Sequence, residues 1–204
     1  METVALRGVD LEVAPGDYVA LIGRSGSGKS TLIGLIAGAD RPSAGRVVVA
    51  GVDLGAADEP TRTRLRGTTI GIVFQSANLV DFLDLAENVQ LTCALAGIEI
   101  DRATAVAALA AVGLGAAARR RAARLSGGEQ QRAALAMILA SRPSLILADE
   151  ITGELDSATA AVVLDLLDEV RRKTGATVIV ATHDPAVAAR ANRVVELRDG
   201  KVAS

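Results

Sequence analysis

Eight residues, Gly23-Arg24-Ser25-Gly26-Ser27-Gly28-Lys29-Ser30, constrain this chain more than any others. They follow an apolar run, Tyr18-Val19-Ala20-Leu21-Ile22, that reads as a buried strand. They open a segment from Ser30 to about Ala37 that reads as a helix. Glycines let the backbone curl so that several N–H groups converge on one anion, and the helix N-terminus beyond adds the positive end of its dipole. The pattern G-x-x-x-x-G-K-[ST] assigns Lys29 to the β- and γ-phosphates of a nucleotide and the Ser30 hydroxyl to Mg²⁺. Arg24, Ser25, Gly26, Ser27 and Thr31 complete the phosphate cradle. A Gly-rich turn that binds nothing is the plain alternative, but the strand before and the helix after are the context the motif demands.

The rest of the chain alternates in the same way. Val47-Val48-Val49, Ile70 to Phe74, Leu145 to Ala148, Thr177 to Val180 and Val194 to Leu197 read as short strands. Several are continuous apolar runs, as expected for a parallel sheet covered by helices on both faces. Between Gln75 and Pro143 no strand is convincing. Residues 87–96, 101–112 and 128–140 read as helices, so a helical insertion is expected in an α/β domain. With only three aromatic residues in 204, the core must be aliphatic. A net charge of −2 supplies no basic field for a nucleic-acid backbone, and direct nucleic-acid binding is not expected. One cysteine, Cys93, excludes an intramolecular disulfide, in keeping with a reducing compartment. The longest apolar tract, Ala103 to Ala118, is broken by Gly113 and Gly115 and falls short of the roughly 20 residues of a membrane-spanning helix. The N-terminus lacks the pattern of a secretory signal, so a soluble protein is expected. The run Arg119-Arg120-Arg121, with Arg124 nearby, reads as a solvated surface.

Two further motifs carry chemistry. Leu145-Ile146-Leu147-Ala148-Asp149-Glu150 is an apolar strand ending in two acids. Behind a phosphate loop, the first suits Mg²⁺ and the second suits the orientation and deprotonation of an attacking water. A strand cap with two solvated acids is the bland reading. Leu125-Ser126-Gly127-Gly128-Glu129-Gln130-Gln131-Arg132 opens a helix, with Ser126 and Glu129 spaced as a capping box. Capping does not explain two successive glycines, which weaken a first turn. Bare N–H groups at a positive helix end do, because such an end attracts an anion.

Leu125 to Gln130 resembles the signature sequence of the ABC (ATP-binding cassette) family, and other positions then match one by one. Gln75 resembles the glutamine that contacts Mg²⁺ and water beside the permease contact. Gly153-Glu154-Leu155-Asp156 resembles the loop that crosses the dimer interface, which places Asp156 near nucleotide. His183, the sole histidine, resembles the switch histidine that touches the γ-phosphate. Segments such as Phe74 to Leu79, Ala86-Glu87-Asn88-Val89 and Thr152 to Ser157 look like the lipoprotein-releasing and macrolide-exporting branch, which pairs with FtsX-like permeases. The resemblance implies a P-loop NTPase core at 1–75 and 142–204, a helical subdomain at 76–141, and a small N-terminal β region. It implies a homodimer sandwiching two Mg·ATP, each on one phosphate loop and covered by Ser126, Gly127, Gly128 and Glu129 of the other chain. Glu150, His183 and Gln75 would serve hydrolysis; Ser30, Gln75 and Asp149 would serve the metal. A membrane permease, most naturally an exporter, would be the partner, holding the subunit on the inner face of the cell membrane.

Three departures stand out. The aromatic residue that stacks on adenine in this family should fall at or before Met1, so either the chain starts too far downstream or the base is held more loosely. Ile151 stands where proline usually follows the glutamate, and Met137 where arginine is common. A soluble clamp acting on a protein or nucleic-acid partner is the alternative from another class, and co-purification with an integral membrane protein separates the two.

Overall fold

In the computed structural model, which describes residues 4–74 and 78–203, the predicted strand is β1, Tyr18–Ile22, followed by α1, Lys29–Ile36. A short antiparallel hairpin, β2 (Val48–Val49) with β3 (Val52–Asp53), forms a separate small sheet. Residues 4–17 carry no strand, so this hairpin is the described β unit outside the main sheet. Then come α2 (Glu59–Thr68) and β4 (Ile70–Phe74). All described elements up to the next strand are helical: α3 (Leu85–Leu95), α4 (Arg102–Ala111), two 3₁₀ turns and α5 (Gly127–Ser141). The chain returns to the sheet with β5 (Leu145–Asp149), α6 (Ser157–Thr174), β6 (Thr177–Thr182) and α7 (Pro185–Ala188). It closes with β7 (Arg193–Arg198) and β8 (Lys201–Val202).

The main sheet runs β4-β5-β6-β1-β7-β8, parallel except for the final β7–β8 pair. Its period of two splits each central strand between two cores. Val19 and Leu21 face Leu32, Ile33 and Ile36 of α1, whereas Tyr18 and Ala20 join the side built by α5 and α6. Leu145 and Leu147 divide from Ile146 and Ala148 in the same manner. The helical segment has no core of its own: Leu85, Val89, Leu109 and Leu135 belong to one cluster with Ile146, Val163 and Leu167. Each fully buried leucine of that cluster contributes about 1.5–3 kcal/mol.

Two helices were not predicted. α2 is highly polar, and its start is set by Asp58, whose carboxylate accepts from Thr61 N, with Pro60 in the first turn. α6 is capped by Asp156 and ends at Gly175 in the left-handed region. It buries Ala160, Val163, Leu164, Leu167 and Val170, the apolar stripe of an ordinary surface helix.

Tyr18 is 1% exposed, and its hydroxyl has no hydrogen-bond partner. Arg171 lies 5.5 Å above the ring. Burial first, and the nearby Asp168 carboxylate second, push the phenol up from 10.0 to about 12. Between those values the unfolded chain releases this proton and the folded chain keeps it. Stability is therefore intact below pH 10 and should fall as pH rises towards 12, by about 2–3 kcal/mol at full ionisation. Tyr18 is the sole tyrosine, so ultraviolet titration of the phenolate reads it directly. In Tyr18→Phe this component of alkaline unfolding should disappear.

Candidate nucleotide site

The carboxyl ends of the parallel strands lie level. Ile22 sits beside Thr182 on β6 and Glu196 on β7; Asp149 sits beside Phe74 on β4 and Ala181 on β6. The phosphate loop, the acid pair and His183 thus all leave the sheet at one edge, the edge where open α/β sheets bind ligands.

The loop's shape depends on particular glycines. Gly23 has φ 153°, and a Cβ there would lie 2.3 Å from the Leu197 carbonyl oxygen on β7. Gly28 has φ 104°, and its Cβ would meet Leu6 and the Ala5 carbonyl oxygen at 2.6 and 2.8 Å. Any larger residue would push the loop off its support. Gly28 is also the N-cap of α1 and brings no side chain to the first N–H groups of the helix. Lys29 is buried, with Nζ donating to the Gly23 carbonyl at 2.8 Å and the Arg24 carbonyl at 3.3 Å. Among the described residues it has no carboxylate partner, so its positive charge is not cancelled. Arg24, Ser25, Gly26 and Ser30 are exposed, Thr31 is half-buried, and Ser27 is buried with its backbone bonded to Arg24 and Gly200.

Asp149 ends β5 with Oδ1 buried and unpartnered. A buried carboxylate oxygen without a donor is costly unless a cation meets it. No group of three or more His, Cys, Asp or Glu that could hold a metal occurs among the described residues. A single buried carboxylate oxygen of this kind suits Mg²⁺, which keeps several waters and seldom uses an all-protein cage.

Glu150 follows in the left-handed region at φ 52°, unusual for a residue with a side chain. The turn is fixed on both sides: Glu150 N donates to Ala181 O and Gly153 N donates to Glu150 O, each at 3.0 Å, while Ile151 is buried in the core. Glu150 Oε2 lies 2.8 Å from His183 Nδ1, at the start of the turn after β6. The two side chains are therefore within ion-pair reach of each other. The histidine side chain remains 70% exposed.

Ser126 N-caps α5 as its spacing predicts. Glu129 N donates to Ser126 Oγ at 3.3 Å, and Ser126 N donates to Glu129 Oε2 at 2.9 Å. The two glycines have different causes. Gly127 is exposed, with room for a side chain. Gly128 is buried, and a Cβ there would sit 2.3 Å from Thr159 Cγ2. Close packing on α6 therefore demands the second glycine, which corrects the reading that anion access alone explains both. The α5 N-terminus rests on Leu155 and Thr159, and no hydrogen bond joins it to the phosphate loop among the described residues. Asp156 is occupied as the cap of α6, accepting from Ala158 N, Thr159 N and Thr159 Oγ1. The Thr159 hydroxyl, with the backbone donors second, holds its carboxyl below the usual range.

Arg120 corrects a second reading. It is not merely solvated: Nη1 and Nη2 donate to the two carboxylate oxygens of Glu129 at 2.7 and 3.2 Å. That pairing, together with the Ser126 N–H, holds the Glu129 carboxyl below its ordinary value. The sequence offers no signal for this contact, since the partners lie nine positions apart, across a 3₁₀ turn and the start of α5. Gln131 supplies another unforeseen tie, donating to the Phe74 carbonyl at 2.9 Å and so fastening α5 to the end of β4. Gln75 itself lies outside the described residues. Tyr18, buried in the core, presents no ring to a base. An apolar cavity of about 360 Å³, lined by Val9, Leu11, Val13, Leu32 and Ile36, lies by the amino ends of the strands and shares no residue with the phosphate loop.

A phosphate loop on a central parallel strand, with an acid at the end of β5, defines a P-loop nucleotide-binding α/β protein. Residues 6–153 match the protein-family model described as ABC transporter. The chain belongs to the ABC transporter family and is an ATP-binding, ATP-hydrolysing subunit. It is 48% identical over 203 residues to the lipoprotein-releasing system ATP-binding protein LolD of Anaeromyxobacter dehalogenans, covering 98% of this chain and 85% of that one. It is 43% identical over 205 residues to the macrolide export ATP-binding/permease protein MacB of Hyphomonas neptunium, of which it spans only 32%. A dimeric structure of the ATP-binding cassette MJ0796, in a post-hydrolysis state bound to ADP and Pi, aligns with a TM-score of 0.90. The identity there is 37%, over 98% of this chain and 89% of that one.

Proposed function

We propose that two copies of this chain close on two Mg·ATP and that closure and hydrolysis drive a membrane exporter. One observation carries the site assignment. The phosphate loop, Asp149, Glu150 and His183 share the carboxyl edge of one sheet, while the signature end of α5 rests on Leu155 and Thr159 instead. A signature end without a bond to its own loop is suited to the nucleotide of a second copy.

In this reading the loop from Gly23 to Gly28, with Thr31, wraps its N–H groups around the phosphates, and Lys29 supplies the point charge. Ser30 and Asp149 would hold Mg²⁺, with Gln75 as a further ligand. When bound, the ion neutralises charge that develops on the phosphate oxygens. Glu150 accepts the proton of the attacking water, and His183, 2.8 Å from Glu150, reaches the γ-phosphate. Ser126, Gly127, Gly128 and Glu129 cover the partner chain's nucleotide, and Asp156 holds the adjoining turn at the interface.

The transport reading is supported by the names of the relatives, lipoprotein-releasing and macrolide export, and by the permease that accompanies the cassette in one of them. No helix among the described residues is long and apolar enough to cross a membrane. A permease, of FtsX-like type, would anchor the subunit at the inner face of the membrane. Phe82, 75% exposed ahead of α3, and Leu95, at its end, offer apolar contact for it. Affinity purification from native membranes should recover an integral membrane protein, identified by mass spectrometry. Phe82→Asp with Leu95→Asp should lose it at an unchanged unfolding temperature. Recovery of soluble partners alone would sink the transport reading.

A further inference from the structure

We infer that Arg120 is a positioning residue for closure of the dimer: it neutralises Glu129, so that the signature helix presents an anion-accepting end to the partner's triphosphate. The inference rests on the sandwich reading above. Glu129 occupies the third position of α5, where its carboxylate completes the capping box. A negative charge there suits the helix dipole, yet it opposes any phosphate approaching the same end. The fold removes that conflict with a guanidinium brought from outside the helix. Arg120 grips both Glu129 oxygens, and Nη2 also donates to the Arg124 carbonyl at 2.8 Å. The grip is placed by backbone bonds elsewhere. Arg120 N donates to the Ala117 carbonyl at 2.8 Å, the Arg120 carbonyl accepts from Leu85 N at 3.1 Å, and Asp84 bridges to Arg121. The cation is thus fixed by the start of α3, independently of the helix it serves.

Geometry explains why arginine stands here. A planar fork satisfies two carboxylate oxygens and a carbonyl together, which a lysine ammonium does not. The pair is half open to water, 45% exposed on the arginine and 22% on the glutamate. Such a pair adds little to fold stability. Its effect falls on the charge met by an arriving anion.

The test uses the full chain carrying Glu150→Gln, in which hydrolysis is blocked, and reads ATP-dependent dimerisation by sedimentation. Adding Arg120→Ala should raise the dimer dissociation constant about tenfold, because both sandwiched phosphates then face an uncompensated carboxylate. Adding Glu129→Gln as well should restore the parental value, since Gln keeps the capping oxygen and loses the charge. Arg120→Lys should fall between. High salt should shrink the Arg120→Ala defect, as screening acts on charge and not on loop shape. ATP affinity of the monomer and its unfolding temperature should not move. Unaltered dimerisation in Arg120→Ala overturns the inference, as does a defect that persists with Glu129→Gln and in high salt. If Glu150→Gln alone stays monomeric with ATP, the sandwich reading has failed first and takes this inference with it.

Discussion

Glu150→Gln should stop hydrolysis and convert a transient ATP-bound dimer into a lasting one. Gln matches Glu in size and keeps a side-chain oxygen to face His183, but it cannot take a proton from water. Loss of a general base costs on the order of 10²–10⁴ in rate. Backbone effects are not expected to blur the result. Position 150 lies at φ 52°, and Gln meets the same strain there as Glu. The buried Ile151, the bond from Glu150 N to the Ala181 carbonyl and that from Gly153 N to the Glu150 carbonyl hold the turn in either case. The substitution also removes a negative charge beside Asp149, in a site that must accept phosphate oxygens, and this favours closure. Sedimentation with Mg·ATP should give twice the monomer mass, and Mg·ADP should give the monomer. Phosphate release should become undetectable over the same period. Wild-type turnover in this variant would remove Glu150 from the reaction, while a monomer at saturating ATP would remove the sandwich.

How much of this was legible beforehand differs by distance along the chain. The phosphate loop and the strand ending in Asp149-Glu150 are contiguous, so motif and flanking periodicity together were enough to place them. The cap at Ser126 was legible for the same reason. Contacts between distant segments were not. Nothing local announces that Glu150 meets His183 or that Arg120 reaches Glu129, because those pairs exist only once the strand order and the α3–α5 packing are set. Gly128 shows the other limit: its neighbour, Thr159, lies on α6, far along the chain. That helix was available in principle, since Ala160, Val163, Leu164, Leu167 and Val170 follow the 3.6 period, with Asp156 before them and Gly175 after. α2 was harder, being so polar that its caps speak louder than its face. The inserted helices read correctly as helices, but their shared core with the sheet could be seen only from the fold.

Lys29→Ala should separate two properties that usually move together. Lys29 is 7% exposed, its ammonium bonded to two loop carbonyls without a carboxylate to balance it among the described residues. Burying such a charge costs free energy that carbonyl dipoles only partly return. The nucleotide-free chain should therefore lose nothing on truncation, and its unfolding temperature should hold or rise. Binding should move the other way. A charge-assisted hydrogen bond is worth about 1.5–3 kcal/mol, and Lys29 is placed for two phosphates, so ATP affinity should fall on the order of a hundredfold or more. The loss should follow the outer phosphates: large for ATP, smaller for ADP, and near zero for AMP. Lys29→Arg should not restore full affinity, because a wider planar group does not fit a loop closed around the Gly23 and Arg24 carbonyls. Calorimetry with the three nucleotides decides the matter. An equal loss for all three would point to collapse of the loop, and unchanged ATP affinity would show that the charge buried at the head of α1 has another purpose.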